Sequence, residues 1–303
     1  MFVAGPGVVR WSARAVAALV VLAAVGAAGV SYVAADKLVH PPREHRAVTP
    51  AGRGLAYDEG AFTTDDGLTL AAWWIPAGSA EHRGTVVFLH GYGASRSQAL
   101  AVAPFLHRAG YHVLAFDFRA HGDSEGTHTT IGIDEAKDVA AAVAYVRALT
   151  SASEPVALFG WSMGAAAALN AAEDVPDVRA IIVDSSFARL ANIVSNDLDA
   201  LTGLPEFPFA PMIMLFASKM AGHGPGDNEP ARHAATLHRP ILVIQGTEDR
   251  IASPEGDGRA IADSAGAWGQ FWLVQGAGHV DARRTEPREY EAHVLAFLAE
   301  ALG

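Results

Sequence analysis

Val156-Ala157-Leu158-Phe159-Gly160-Trp161-Ser162-Met163-Gly164 holds the key to the architecture. Val156 to Phe159 reads as an apolar strand, and the Ala-rich run from Ala165 to Ala172 reads as a helix. Between them lies a sharp turn carrying a serine. Such a turn holds a hydroxyl clear of the backbone, at the C-terminal edge of a parallel sheet, where open α/β folds bind ligands. Gly160 and Gly164 suit it because bulky neighbours would not fit. The pentapeptide alone is a weak signal; the strand before it and the helix after it give it weight.

Outward from this turn, strands and helices alternate. Thr85 to Leu89 and His112 to Phe116 are continuous apolar strands, as a sheet covered on both faces requires. Ala180 to Val183, Ile241 to Gln245 and Phe271 to Val274 follow the turn. Tyr57 to Thr63 and Leu68 to Ile75 form a hairpin at Asp65-Asp66-Gly67. Ile133 to Leu149 and Pro287 to Leu302 have helical periodicity. The alternation predicts an α/β fold with a mostly parallel sheet of eight strands and helices on both faces. Phe187 to His238 breaks the rhythm and is too long for a simple connection, so it reads as a small helical cap inserted over the site.

The chain has 303 residues, half of them hydrophobic, enough for one large α/β domain. Its net charge of −11 argues against a nucleic-acid partner. It has no cysteine, which excludes disulfides, a cysteine nucleophile and thiolate metal sites. Ala15 to Ala35 is an uncharged apolar run long enough to span a bilayer, flanked by Arg10 and Arg14 before it and Asp36 and Lys37 after it. Val33-Ala34-Ala35 resembles a signal-peptide cleavage site, but the run is longer than a usual signal core. An uncleaved single-pass anchor over residues 1–36 is therefore expected, then a linker over 37–54 and the α/β domain with its cap from 55 to 303. The short N-terminal tail places that domain outside the cytoplasm, against the count of Lys and Arg on the two flanks. A chain starting near Gly54 is expected to fold and remain active.

A serine hydroxyl needs a base to take its proton, and the base needs an orienting carboxylate. Asp249 follows the strand Ile241 to Gln245, and His279 follows Phe271 to Val274. Both therefore fall on the same sheet edge as Ser162. Asp184, at the end of Ala180 to Val183, is the alternative acid, and Glu248 a more remote one. The loop His90-Gly91-Tyr92-Gly93 and the residue after the serine should supply oxyanion donors, the amides of Tyr92 and Met163. In the cap, Phe209, Met212 and Phe216 are the candidates for an apolar acyl pocket.

Thr85 to Gly93, Phe116 to Gly126, the serine turn, Gly246 to Asp249 and Gly278-His279 together resemble the α/β-hydrolase superfamily. Within it the chain is similar to the bacterial serine-aminopeptidase-like group, which also includes cinnamoyl-ester and acylglycerol esterases. The apolar run followed by Leu38 to Arg43 resembles its membrane-anchored members. The resemblance covers residues 55 to 303. It implies Ser162 as nucleophile, Asp249 as acid, His279 as base, and Tyr92 and Met163 as oxyanion donors, with no metal or organic cofactor. It also implies that Asp117 and Arg119 brace loops. Ala120 stands where glycine is common in the family. The expected activity is hydrolysis of small carboxylic esters through an acyl-enzyme. The alternatives are an acyl-thioesterase, a non-catalytic anchored binding module, or an aminopeptidase using Glu206 or Asp227 to hold the substrate amine.

Overall fold

Along β3 (Gly84–Leu89), Val87 and Leu89 join one buried cluster while Val86 and Phe88 join another. Successive side chains leave a strand on opposite faces, so both faces of this sheet are covered. The computed structural model describes residues 6–45, 48–196 and 204–303. Residues 1–5 of the expected tail, residues 46–47 of the expected linker and residues 197–203 of the expected cap lie outside the described residues.

β1 (Asp58–Thr63), β2 (Thr69–Ile75), β3, β4 (Tyr111–Phe116), β5 (Val156–Trp161), β6 (Val178–Asp184), β7 (Ile241–Gly246) and β8 (Gly269–Val274) form one sheet. Their order is β1-β2-β4-β3-β5-β6-β7-β8. The pairs β1–β2 and β2–β4 are antiparallel and the remaining pairs are parallel. This is the eight-stranded α/β-hydrolase sheet that the sequence predicts. Its register positions the site. Leu89 pairs with Gly160, Trp161 with Asp184, Asp184 with Ile244, and Gly246 with Val274. The loops leaving β3, β5, β7 and β8 therefore start along one edge.

The helices are α1 (Pro6–Val39), α2 (Ala103–Arg108), α3 (Glu135–Leu149), α4 (Met163–Ala171), α5 (Leu190–Asn196), α6 (Glu206–Ala221), α7 (Pro230–Thr236), α8 (Ala260–Ala265), α9 (Ala282–Thr285) and α10 (Pro287–Leu302). Val139 and Val143 of α3, Leu169 of α4 and Ile261 of α8 pack on one face of the sheet. Phe105 of α2 and Tyr290, Val294 and Leu298 of α10 pack on the other. The expected cap, between β6 and β7, carries α5, α6 and α7.

The N-terminal helix departs from a separate anchor. It is one unbroken helix through Val39, and its last turns dock on the cap. Ser31, Ala35 and Val39, spaced one turn apart, are buried. Ala35 clusters with Ala210 and Ile213 of α6, and the Tyr32 ring meets Phe216 edge-on at 5.6 Å. Small residues at Ser31, Ala35 and Ala210 let the two helices approach closely. The preceding turns are bare: Val16, Leu19, Val20, Leu22 and Val25 are all exposed. The stretch Ser12–Val39, with an 18-residue window of mean hydropathy 2.3, is long and apolar enough to cross a membrane.

Candidate active site

Ser162 sits between β5 and α4 with φ 51° and ψ −117°, a conformation unfavourable for any residue with a Cβ. Its amide donates to the Asp184 carbonyl at 2.9 Å. The two glycines flanking the pentapeptide are sterically required. A Cβ on Gly160 would come within 2.4 Å of the Gly164 carbonyl oxygen, and one on Gly164 within 2.2 Å of the Leu89 carbonyl oxygen. Both contacts are with backbone, which cannot swing aside.

The register brings His279 and Asp249 to this serine. His279 Nε2 lies 2.8 Å from Ser162 Oγ, and His279 Nδ1 lies 2.9 and 3.1 Å from the Asp249 oxygens. A carboxylate only accepts, so Nδ1 donates to Asp249 and Nε2 is left to accept from the serine hydroxyl. Asp249 is buried and held by other donors: the amides of Ile251 and Ala252 on Oδ1, and Gln245 Nε2 on Oδ2 at 2.7 Å. Val280, next to the histidine, is also in the left-handed region, at φ 54°. Its amide donates to Ser185 Oγ at 2.9 Å, which ties the histidine loop to the end of β6.

Asp184, the alternative acid, is occupied elsewhere. Its Oδ2 accepts the Tyr290 hydroxyl at 2.7 Å and its Oδ1 accepts the Ser185 hydroxyl at 3.1 Å. Burial pushes its pKa up to about 6. Glu248 forms no part of the Ser162–His279–Asp249 chain.

The loop after β3 is fixed by His90. Its Nδ1 lies 2.8 Å from the Gly91 carbonyl and must donate to it, while Nε2 accepts the Phe118 amide at 3.0 Å. Burial holds this imidazole well below its ordinary pKa, so it stays neutral. Gly91 lies against the serine: a Cβ there would stand 3.5 Å from Ser162 Cβ. Tyr92 follows, and Met163 opens α4, where first-turn amides have no partner within the helix. The Tyr92 hydroxyl donates to the Lys37 carbonyl of α1 at 2.9 Å. Burial pushes the phenol pKa up to about 12.

Asp117 accepts the Arg96 amide and guanidinium, and Arg119 bridges Asp138 and Asp66. These are loop braces, as the resemblance implies. Ala120 sits at φ 60°, the physical reason glycine is favoured there. His121 Nδ1 bonds the Arg119 carbonyl, which leaves this histidine outside the Ser162–His279 pair. On the opposite sheet edge, His82, His112 and Glu154 lie close enough to hold a metal ion. However, His112 Nδ1 accepts the Ala77 amide at 3.0 Å, so its proton is fixed on Nε2 and no lone pair is offered.

A cavity of about 850 Å³ opens over Ser162 and His279. On the cap side Ile213, Met214 and Ala217 line it, whereas Phe209 and Phe216, expected in the pocket, pack in the cluster between α6 and α1. Met212 is not among the lining residues. The expectation treated the cap helix as facing an acyl pocket with its aromatic side; that side instead meets α1. Sequence reasoning missed the neighbouring wall, where Val33, Ala34 and Leu38 of α1 line the same cavity. The one-turn spacing of small residues at Ser31 and Ala35 was the available signal.

The geometry finds its counterpart in known proteins. A family model described as serine aminopeptidase, S33, matches residues 80–222. The uncharacterized protein YfhR of Escherichia coli is 32% identical over 249 residues, covering 80% of each chain. An uncharacterized protein of Mycobacterium tuberculosis is 28% identical over 298 residues, covering 96% of each. A solved esterase of Pyrococcus furiosus superposes with a TM-score of 0.74 at 28% identity, covering 88% of this chain and 99% of that one. The chain belongs to the α/β-hydrolase superfamily. It is an enzyme of hydrolase type.

Proposed function

We propose that the chain is a membrane-anchored serine esterase that cleaves carboxylic esters with apolar acyl groups through an acyl-enzyme on Ser162. The observation that carries this reading is the unbroken chain of contacts from Ser162 Oγ to His279 Nε2, and from His279 Nδ1 to Asp249. His279 takes the serine proton as Oγ attacks the ester carbonyl. The oxyanion that forms is met by the amides of Tyr92 and Met163. His279 then passes the proton to the leaving alkoxide, and Asp249 stabilises the imidazolium in between. Water then attacks the acyl carbonyl while giving a proton to His279, and His279 returns that proton to Ser162 Oγ as the acyl–oxygen bond breaks and the acid leaves. Every proton in this cycle moves through the one imidazole, so no metal is required.

The cavity favours esters over peptides with free amino ends. Among the described residues no carboxylate lines it, so a substrate ammonium would find no counter-charge. Glu206 and Asp227 are both absent from its walls. Its lining is mainly aliphatic, with Ile131, Ile133, Ile213, Met214 and Ile251. The anchor is supported by length: residues 12–30 rise about 28 Å as helix, against a hydrocarbon core of about 30 Å.

A serine-reactive fluorophosphonate, followed by p-nitrophenyl esters from acetate to decanoate beside amino-acid anilides, tests the reading. We expect labelling and ester hydrolysis in the intact protein and neither in Ser162→Ala. An intact, folded protein that neither labels nor turns over would leave a binding module in its place.

A further inference from the structure

The expected linker would leave the apolar N-terminal helix remote from the chemistry, yet the end of that helix reaches the catalytic cavity. Val33, Ala34 and Leu38 form one wall of it, next to Ile213, Met214 and Ala217 of α6, with which Ala34 and Leu38 share a cluster. On that side of α6, Ala35 of α1 closes the cluster with Ala210 and Ile213. Removing α1 would turn a walled cavity into an open groove.

The wall is also fastened to the site. The Lys37 carbonyl accepts the Tyr92 hydroxyl, and the Val39 carbonyl accepts the Thr129 amide at 2.9 Å. Just past the helix, the Arg43 guanidinium donates to the carbonyls of Gly122 at 3.2 Å and Gly126 at 2.7 Å. Tyr92 and Thr129 themselves line the cavity. The helix end is therefore held at two points on the cavity rim and at a third behind it.

We propose that the last two turns of α1 are a specificity-determining wall of the active site, which sets the length and bulk of the acyl chain the cavity accepts. The substrate class here rests on the esterase reading above; the wall itself does not. An apolar chain in the cavity lies along the seam where α1 meets α6, desolvated by Ala34 and Leu38 of α1 and by Ile213 and Met214 of α6. A short acyl group ends near Ser162 and does not reach that seam. Changes in the wall should therefore discriminate by chain length. The proposal also requires that the helix be retained in the mature protein, since cleavage after Ala35 would remove Val33 and Ala34.

The test uses the full chain in lipid nanodiscs and two variants acting in opposite senses. Ala34→Trp fills the cavity beside the α1–α6 seam, and Leu38→Ala enlarges it. The first readout is kcat/KM for the acetate and decanoate p-nitrophenyl esters. The second, independent of chemistry, is the Kd of a dansyl-labelled undecanoic acid, corrected with empty nanodiscs. For Ala34→Trp we expect decanoate turnover to fall about tenfold or more while acetate turnover changes less than about threefold, with the fatty-acid Kd weakened in parallel. For Leu38→Ala we expect the preferred chain to become longer, and this variant decides the matter should Ala34→Trp fail to fold. Equal changes at every chain length, or an unaltered chain-length profile with unaltered Kd, would overturn the wall. So would a mature N-terminus after Ala35. If no ester is hydrolysed but the fatty-acid Kd still shifts with the variants, the esterase reading fails and the wall stands.

Discussion

Asp184 closes β6 and Asp249 lies just beyond the end of β7, so the two buried carboxylates stand at the ends of neighbouring strands. Their surroundings differ in kind. Asp249 accepts from two backbone amides, a glutamine amide and the His279 ring. Asp184 accepts from two hydroxyls, those of Tyr290 and Ser185. A loop carboxylate can be ringed by backbone N–H groups, whereas one inside a strand has its neighbours' amides already committed to the ladder. Position past the strand, rather than burial, separates an acid that faces the histidine from one that braces the core.

The comparison breaks most sharply at Asp249. We expect Asp249→Asn to lower kcat for a p-nitrophenyl ester by about 10⁴, because an amide can stabilise neither the imidazolium nor the productive tautomer. Asp184→Asn should stay within about threefold. If Asp184→Asn collapses while Asp249→Asn retains activity, the roles are reversed. Combining Asp249→Asn with Ser162→Ala should cost little beyond Ser162→Ala alone, since the groups act as a unit.

A second contrast appears in stability against pH. Asp184 has its folded pKa raised to about 6 from an ordinary value of 3.8. The folded state therefore holds its proton more tightly than the unfolded chain does. The resulting stabilisation is complete below pH 3.8 and is lost as pH rises through about 6. Its size is on the order of 3 kcal/mol. We expect this component of the stability fall between pH 4 and 6.5 to vanish in Asp184→Asn, measured by denaturant unfolding across that range. An identical profile in the two proteins would show that Asp184 ionises freely.

The smallest effect belongs to the hydroxyl that holds Asp184. Tyr290→Phe removes one donor from the carboxylate and the acceptor for Trp161 Nε1, at 3.1 Å. We expect a loss of about 1–3 kcal/mol in unfolding free energy and a further rise in the Asp184 pKa, with kcat little changed. A large kcat effect would tie Asp184 to the chemistry after all.

Much of this was legible from sequence for physical reasons. Gly160, Ser162 and Gly164 obey a steric rule that few sequences satisfy by accident once a strand precedes and a helix follows. Asp249 and His279 were found because strand ends in a parallel sheet share one edge. Choosing between Asp184 and Asp249 needed strand parity. Asp184 falls on the same face as Ala180 and Ile182, toward Tyr290 of α10, and that face is known only once the helices are placed. The cap was legible as an insertion but not in its orientation. Its helix is apolar nearly all round, so periodicity could not say whether Phe209 and Phe216 look into the cavity or toward α1. The docking of α1 was hidden for the same reason. On a helix apolar on every side, the one-turn spacing of the small residues Ser31 and Ala35 was a weak mark of the side that meets protein.

Had residues 37–54 been the flexible linker their composition suggests, the catalytic domain would hang from the membrane on a coil with a span of roughly 23 Å, free to turn in any direction. The helix instead runs without a break from the exposed apolar stretch into the cavity wall. With that stretch in a bilayer, the tilt of the helix becomes the tilt of the catalytic domain, and Ser162 keeps one height and one heading above the lipid. A substrate dissolved in the same bilayer would then be met by lateral diffusion, a search in a plane rather than through a volume.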